Sequence, residues 1–89
     1  MAIVLKSVAP SRELYEQVNA KLGSALEAAP GLIVHTASEV GGEVHIVDVW
    51  ESEDAAMAFG RDHLAAAIES VGGVMEMPEI TEVFHIQRP

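Results

Sequence analysis

There is no cysteine among the 89 residues. That absence excludes disulfide cross-links, thiolate metal ribbons and thiol nucleophiles together, and it fits a reducing cytoplasm as the expected location. Bases are scarce as well. Lys6, Arg12, Lys21, Arg61 and Arg88 stand scattered against fourteen acids, for a net charge of −9. Such a surface repels a phosphate backbone and an anionic bilayer, so neither nucleic acid nor membrane is an expected partner. No apolar run approaches the roughly 20 residues needed to span a bilayer. The opening run Met1–Lys6 lacks the basic flank and the length of a signal peptide. Also missing are a glycine-rich phosphate loop, a nucleophile elbow and any pair of histidines at the short spacing of a metal site. No metal and no cofactor is expected.

What remains is a short, apolar chain with one problem to solve. Eighty-nine residues make one domain, 1–89, without room for a second core. A chain of this size hides only about two-thirds of its unfolded surface. Disulfides are excluded and no metal site is legible, so self-association is the remaining remedy.

The elements follow from periodicity and punctuation. Ala2–Val8 is a β-branched run stopped by Pro10, hence a strand. Ser11 is an N-cap with Glu13 in the first turn, where the helix dipole favours an acid. Leu14, Val18, Leu22 and Leu26 then make one helical stripe, weakened at Gly23 and ended by Pro30-Gly31. Two strands, Leu32–Glu39 and Glu43–Glu51, flank Gly41-Gly42, a hairpin signal because primed turns need positive φ. Ser52 caps a second helix running to about Ser70, and Gly72-Gly73 ends it. Val74–Pro78 is a loop, and Ile80–Gln87 is a last strand.

The order strand-helix-strand-strand-helix-strand predicts an α+β, ferredoxin-like βαββαβ sandwich: a four-stranded antiparallel sheet with two helices on one face. The run His45-Ile46-Val47-Asp48-Val49-Trp50 is apolar at odd and even positions alike. A sheet with one wet face alternates more cleanly. Both faces therefore need cover, the helices supply one cover, and a second copy of the chain is the simplest other. The expected partner is the chain itself, as a homodimer.

The candidate site residues come from the same register. A two-residue loop at Gly41-Gly42 pairs Val40 with Glu43, and continuing that register sets His35 opposite Asp48 and Ile33 opposite Trp50, these last four sharing one face. A carboxylate beside an imidazole fixes its tautomer and raises its basicity, as a general base requires. The plain alternative for His35–Asp48 is a cross-strand polar pair that fixes register. On the second helix, His63 falls on the apolar arc with Ala56, Phe59, Gly60 and Ala67, facing the sheet among small residues that leave room for a cavity. Its plain alternative is a core histidine bonded to a carbonyl. His45 and His85 have no evident partner and read as structural or surface groups. Tyr15, Trp50 and Phe59 are the candidate substrate contacts; for each, burial in a core or interface is the alternative.

The runs Pro30-Gly31-Leu32-Ile33 and Val47-Asp48-Val49-Trp50-Glu51-Ser52-Glu53-Asp54-Ala55, with the hairpin between them, resemble the dimeric α/β-barrel superfamily. That group includes antibiotic-biosynthesis monooxygenases, haem-degrading monooxygenases, polyketide cyclases and stress-responsive barrel proteins. The resemblance spans nearly the whole chain and implies that two such sheets face each other as a barrel. For activity it implies less. Cofactor-free quinone-forming members share a tryptophan at Trp50, but their asparagine and tyrosine match Ile46 and Ala56 here. The haem-degrading pattern falls on Ser7, Phe59 and Glu69, which does not imply haem. Plant-type cyclases share the His45–Val49 run; their tyrosine matches Phe59, and their helix histidine lies just beyond His63. The combined expectation is a cofactor-independent monooxygenase or cyclase acting on an aromatic or polyketide-like molecule, with His63 or the His35–Asp48 pair as base. A non-catalytic dimeric binding or stress-response module is the alternative.

Overall fold

The computed structural model describes residues 1–89. Its strands are β1 (Ile3–Ala9), β2 (Leu32–Val40), β3 (Glu43–Trp50) and β4 (Glu79–Glu82), in the sheet order β2-β3-β1-β4. Every neighbouring pair is antiparallel. Helix α1 (Arg12–Leu22) joins β1 to β2, and the connection from β3 to β4 is helical from Glu53 to Ser70. This is the expected α+β ferredoxin-like arrangement. No helix is long and apolar enough to cross a membrane.

Local chemistry explains the boundaries. Ser11 Oγ accepts the amide of Leu14 at 3.1 Å, and Ser52 Oγ accepts that of Ala55 at 3.1 Å. Each cap satisfies a helix N–H that has no partner within its helix. Gly23, with its positive φ, stops α1 at Leu22 rather than at the expected Pro30-Gly31, and a single 3-10 turn (Gly23–Ala25) follows. At the hairpin Gly41 and Gly42 hold φ of 57° and 87°, the backbone of a primed two-residue turn. Gly31 has a different reason for being glycine. A Cβ there would lie 2.7 Å from the Cβ of Ala55, so the chain entering β2 and the helix after β3 touch backbone to side chain.

Three further expectations are corrected. First, Ile33 does not oppose Trp50. A bulge between Leu32 and Val34 makes Leu32 the partner of Trp50, while Val40↔Glu43 and His35↔Asp48 pair as the hairpin dictates. The bulge absorbs one residue, so the register read from the turn holds only up to it. Second, β4 ends at Glu82 and not at Gln87. It pairs with β1, Ile3 opposite Glu82, and the amide of Val83 bonds the carbonyl of Ala2 at 2.9 Å. Beyond that the edge partner is used up, and Phe84 is fully exposed. Third, the second helix is not one α-helical register. Its α segments α2 (Glu53–Phe59) and α3 (Ala65–Ser70) are joined by a π-helical stretch, Gly60–Leu64.

Ile3, Ala29, Trp50, Ala56 and Phe59 form the core, with Leu5, Leu22, Leu26, Leu32, Leu64 and Ile80 packed around it. Eight residues are buried in all, a thin core for this length. The opposite sheet face carries Val4, Val34 and Val49 in one cross-strand row and Val47 and Val8 in the next two. Val8, Val34, Val40 and Val47 are all exposed. The helices cover one face, and the other is a run of valines interrupted by Lys6, Thr36, Ser38 and His45.

Candidate active site

The helix-covered face changes character along β3. At Trp50 the row is Ile3–Trp50–Leu32, which is core; two residues earlier it is Leu5–Asp48–His35. Asp48 is the one buried charged residue of the chain. A lone buried carboxylate is costly, so its partner matters. His35 Nδ1 lies 2.6 Å from Asp48 Oδ1, and the other ring nitrogen, Nε2, lies 2.7 Å from the hydroxyl of Tyr15. Tyr15 reaches the sheet from the start of α1, and its ring lies nearly parallel to the imidazole, 6.1 Å between centroids. Three elements, α1, β2 and β3, thus contribute one side chain each to an unbroken hydrogen-bonded chain.

The protons in that chain can be placed. Burial lifts the Tyr15 phenol above the ordinary tyrosine range, and the negative charge of Asp48 lifts it further. Tyr15 therefore keeps its proton at neutral pH, and towards a neutral His35 ring bonded to Asp48 through Nδ1–H it is the donor to Nε2. A neutral imidazole that accepts at Nε2 carries its hydrogen on Nδ1, where the Asp48 carboxylate accepts it. The ring is held in one tautomer from both sides. If it takes a second proton, the imidazolium forms beside a carboxylate, the arrangement that favours a histidine as proton acceptor.

The other sequence candidates stand elsewhere. His63 is exposed rather than turned to the sheet; its ring lies tilted on Phe59 at 5.4 Å. Ala56, Phe59 and Ala67 of the same arc are buried, so the arc holds and His63 lies at its exposed edge. The room expected beside Gly60 is taken up by Met75, whose terminal methyl lies 3.6 Å from where a Gly60 Cβ would sit. Trp50 and Phe59 pack on each other at 5.6 Å within the core, and the buried Trp50 Nε1 donates to no protein atom. His45 lies 3.9 Å from Glu43 on the face away from the helices, and His85 is exposed past β4. No three His, Asp or Glu side chains converge on a metal-sized point.

Two open clefts flank the fold. One, of about 220 Å³, lies between the first turns of α1 and the hairpin, lined by Arg12, Tyr15, Glu16, Ala37, Ser38, Glu39 and Val44. The second, of about 290 Å³, is bordered by Met1, Ile3, Ser52, Glu53, Asp54, Ile80, Thr81 and Glu82. Neither is lined by His63, Trp50 or Phe59, so the enclosed cavity expected beside His63 is not one of them. Tyr15 is the member of the hydrogen-bonded chain that meets a cleft. Sequence reading had named all three residues but joined only two. Tyr15 is on no strand register, and no spacing rule ties it to position 35.

No family model matches this chain, and no curated protein matches it in sequence. Solved structures do match in fold. A protein provisionally named an antibiotic biosynthesis monooxygenase from Chloroflexus aurantiacus J-10-fl aligns over 99% of this chain and 98% of its own at TM-score 0.70 and 14% identity. Rv0793 from Mycobacterium tuberculosis aligns over 99% and 98% at TM-score 0.67 and 16% identity. A second provisionally named antibiotic biosynthesis monooxygenase, from Caulobacter crescentus CB15, aligns over 97% and 89% at TM-score 0.62 and 22% identity. The chain therefore shares the ferredoxin-like fold of these structures. At these identities the likeness establishes architecture alone.

Proposed function

We propose that the chain is one protomer of a homodimeric α/β barrel acting on a small aromatic or polyketide-like molecule by general-base catalysis, without metal or organic cofactor. The observation that carries this reading is the Asp48–His35–Tyr15 chain, with links of 2.6 and 2.7 Å, set beside a cleft rather than inside the core. A structural polar pair needs one link. A second link that ends on an ionisable oxygen at a cleft wall is the arrangement of a proton acceptor. The dimer rests on the uncovered valine face, where burying one valine contributes about 1.5 kcal/mol or more.

Proton abstraction is the first step of both reactions that fit. The resulting carbanion either meets dioxygen, giving oxygenation, or attacks a carbonyl of the same molecule, giving an aldol-type ring. In this reading His35 receives the proton and Asp48 holds the imidazolium. The alternative, a non-catalytic dimeric binding module, draws support from Trp50 and Phe59, which are occupied as core and are not free to stack on a ligand.

The two readings separate in one experiment. Purified protein is incubated aerobically with aromatic polyketides while oxygen uptake and dehydration are followed together. Turnover that falls by about 10²-fold or more in His35→Ala supports the enzyme. Turnover untouched by His35→Ala removes the pair from catalysis, and binding without turnover leaves the module.

A further inference from the structure

Tyr15 lines the cleft between α1 and the hairpin, whereas His35 and Asp48 do not. A molecule seated there meets Tyr15 and not the imidazole. With the ring neutral at Nε2, the one hydroxyl proton goes to His35 at 2.7 Å, and the oxygen makes no other hydrogen bond within the protein. We infer that this cleft is a substrate site, that Tyr15 is the catalytic residue touching the substrate, and that His35 and Asp48 act through it as a proton relay. The inference rests on the general-base reading above and locates where substrate meets it.

The step balances without any further reactant. The substrate X–H bond breaks and its proton joins Tyr15 Oη, while the proton already on Oη passes to His35 Nε2. The products are the substrate anion and an imidazolium beside the Asp48 carboxylate. Tyr15 begins and ends neutral. That matters because burial and the neighbouring carboxylate both work against a tyrosinate. A phenol that had to ionise first would be a poor base here, whereas one that hands a proton on as it receives another avoids that cost.

The rim limits what binds. Arg12 is held by Glu16 at 3.0 Å and faces Glu39 at 3.8 Å. One cation and two carboxylates leave the entrance net negative, on a chain already at −9. Anions are repelled. Ala37 and Val44 give an apolar wall, and Ser38 gives a hydroxyl. The volume of about 220 Å³ lies under the roughly 300–1,000 Å³ usual for drug-sized ligands. The ligand class is therefore an uncharged molecule of about one ring bearing a weakly acidic O–H or C–H.

Acetophenone fits that description and provides a readout independent of any natural substrate. Exchange of its methyl hydrogens in D2O is followed by NMR for the wild type, Tyr15→Phe and His35→Ala, with amide shifts of Ala37 and Ser38 reporting occupancy and fold. Benzoate serves as the anionic control. The expected result is catalysed exchange that both substitutions lower by about 10²-fold, with acetophenone but not benzoate moving the Ala37 and Ser38 amides. If Tyr15→Phe keeps full exchange while His35→Ala loses it, the imidazole meets the substrate directly: this inference fails and the general-base reading stands. If both variants keep full exchange, or the wild type never exceeds buffer, the relay is overturned. Shifts confined to residues outside the cleft overturn its place as the site.

Discussion

Trp50 and Asp48 are two residues apart on the same face of the same strand, and they live in different chemistry. Around Trp50, the row Ile3–Trp50–Leu32 and Phe59 above it are packed side chain to side chain. Even the indole N–H goes unpaired there, at a cost of about 1–3 kcal/mol. Around Asp48, one step along the ladder, every titratable group has a partner and the last of them opens on a cleft. The difference lies in what covers each row. Ala56 and Phe59 close over Trp50, whereas the start of α1 brings a tyrosine over His35. In a domain this small, packing and chemistry occupy adjacent rows of one sheet, with Leu5 as the side chain they share.

That division can be broken from either end. The largest effect is expected at the dry row: Phe59→Ala should cost about 3–5 kcal/mol by chemical denaturation, leaving the Tyr15–His35 contact to those molecules that remain folded. At the polar row, His35→Ala should cost about 1–3 kcal/mol, because it strands a buried carboxylate and a phenol together. A cost below that range would show Asp48 to be well solvated without its partner. The smallest effect is in pH dependence. The Tyr15 phenol is raised in the folded protein, so its contribution to stability is complete below about pH 10, where an unfolded tyrosine titrates. It is lost as pH rises towards the folded value, because the unfolded chain releases its proton first. The stability difference between wild type and Tyr15→Phe should therefore shrink on going above about pH 10 and stay flat below it. A difference that grew with pH would contradict the proposed proton placement.

The sequence carried the polar row further than the dry one. Gly41-Gly42 allows only a tight turn, so His35 opposite Asp48 followed by counting, and the structure has that pair. The count fails at Ile33, where the bulge intrudes, and nothing in Leu32-Ile33-Val34 distinguishes a bulged from a regular entry to the strand. The arc on the second helix is borne out at Ala56, Phe59 and Ala67, which are buried, whereas His63 on the same arc is exposed; periodicity gives a side chain's direction and not how far the sheet extends beneath it. The end of β4 was illegible because Val83–Gln87 is strand-like in composition, and what stops it is the length of β1 beside it. Tyr15 is the instructive case. Its residue type and its helix were both legible, but its contact with His35 depends on how α1 rolls on the sheet, which only packing decides.

Asp48, His35 and Tyr15 are joined in one hydrogen-bonded chain, and nitrogen-15 NMR of the His35 ring, at a pH where it is neutral, reads its direction. The expected result is the Nδ1–H tautomer, with Nε2 accepting from Tyr15, and a shift of Nε2 on Tyr15→Phe. A ring protonated at Nε2, or one indifferent to Tyr15→Phe, would contradict it.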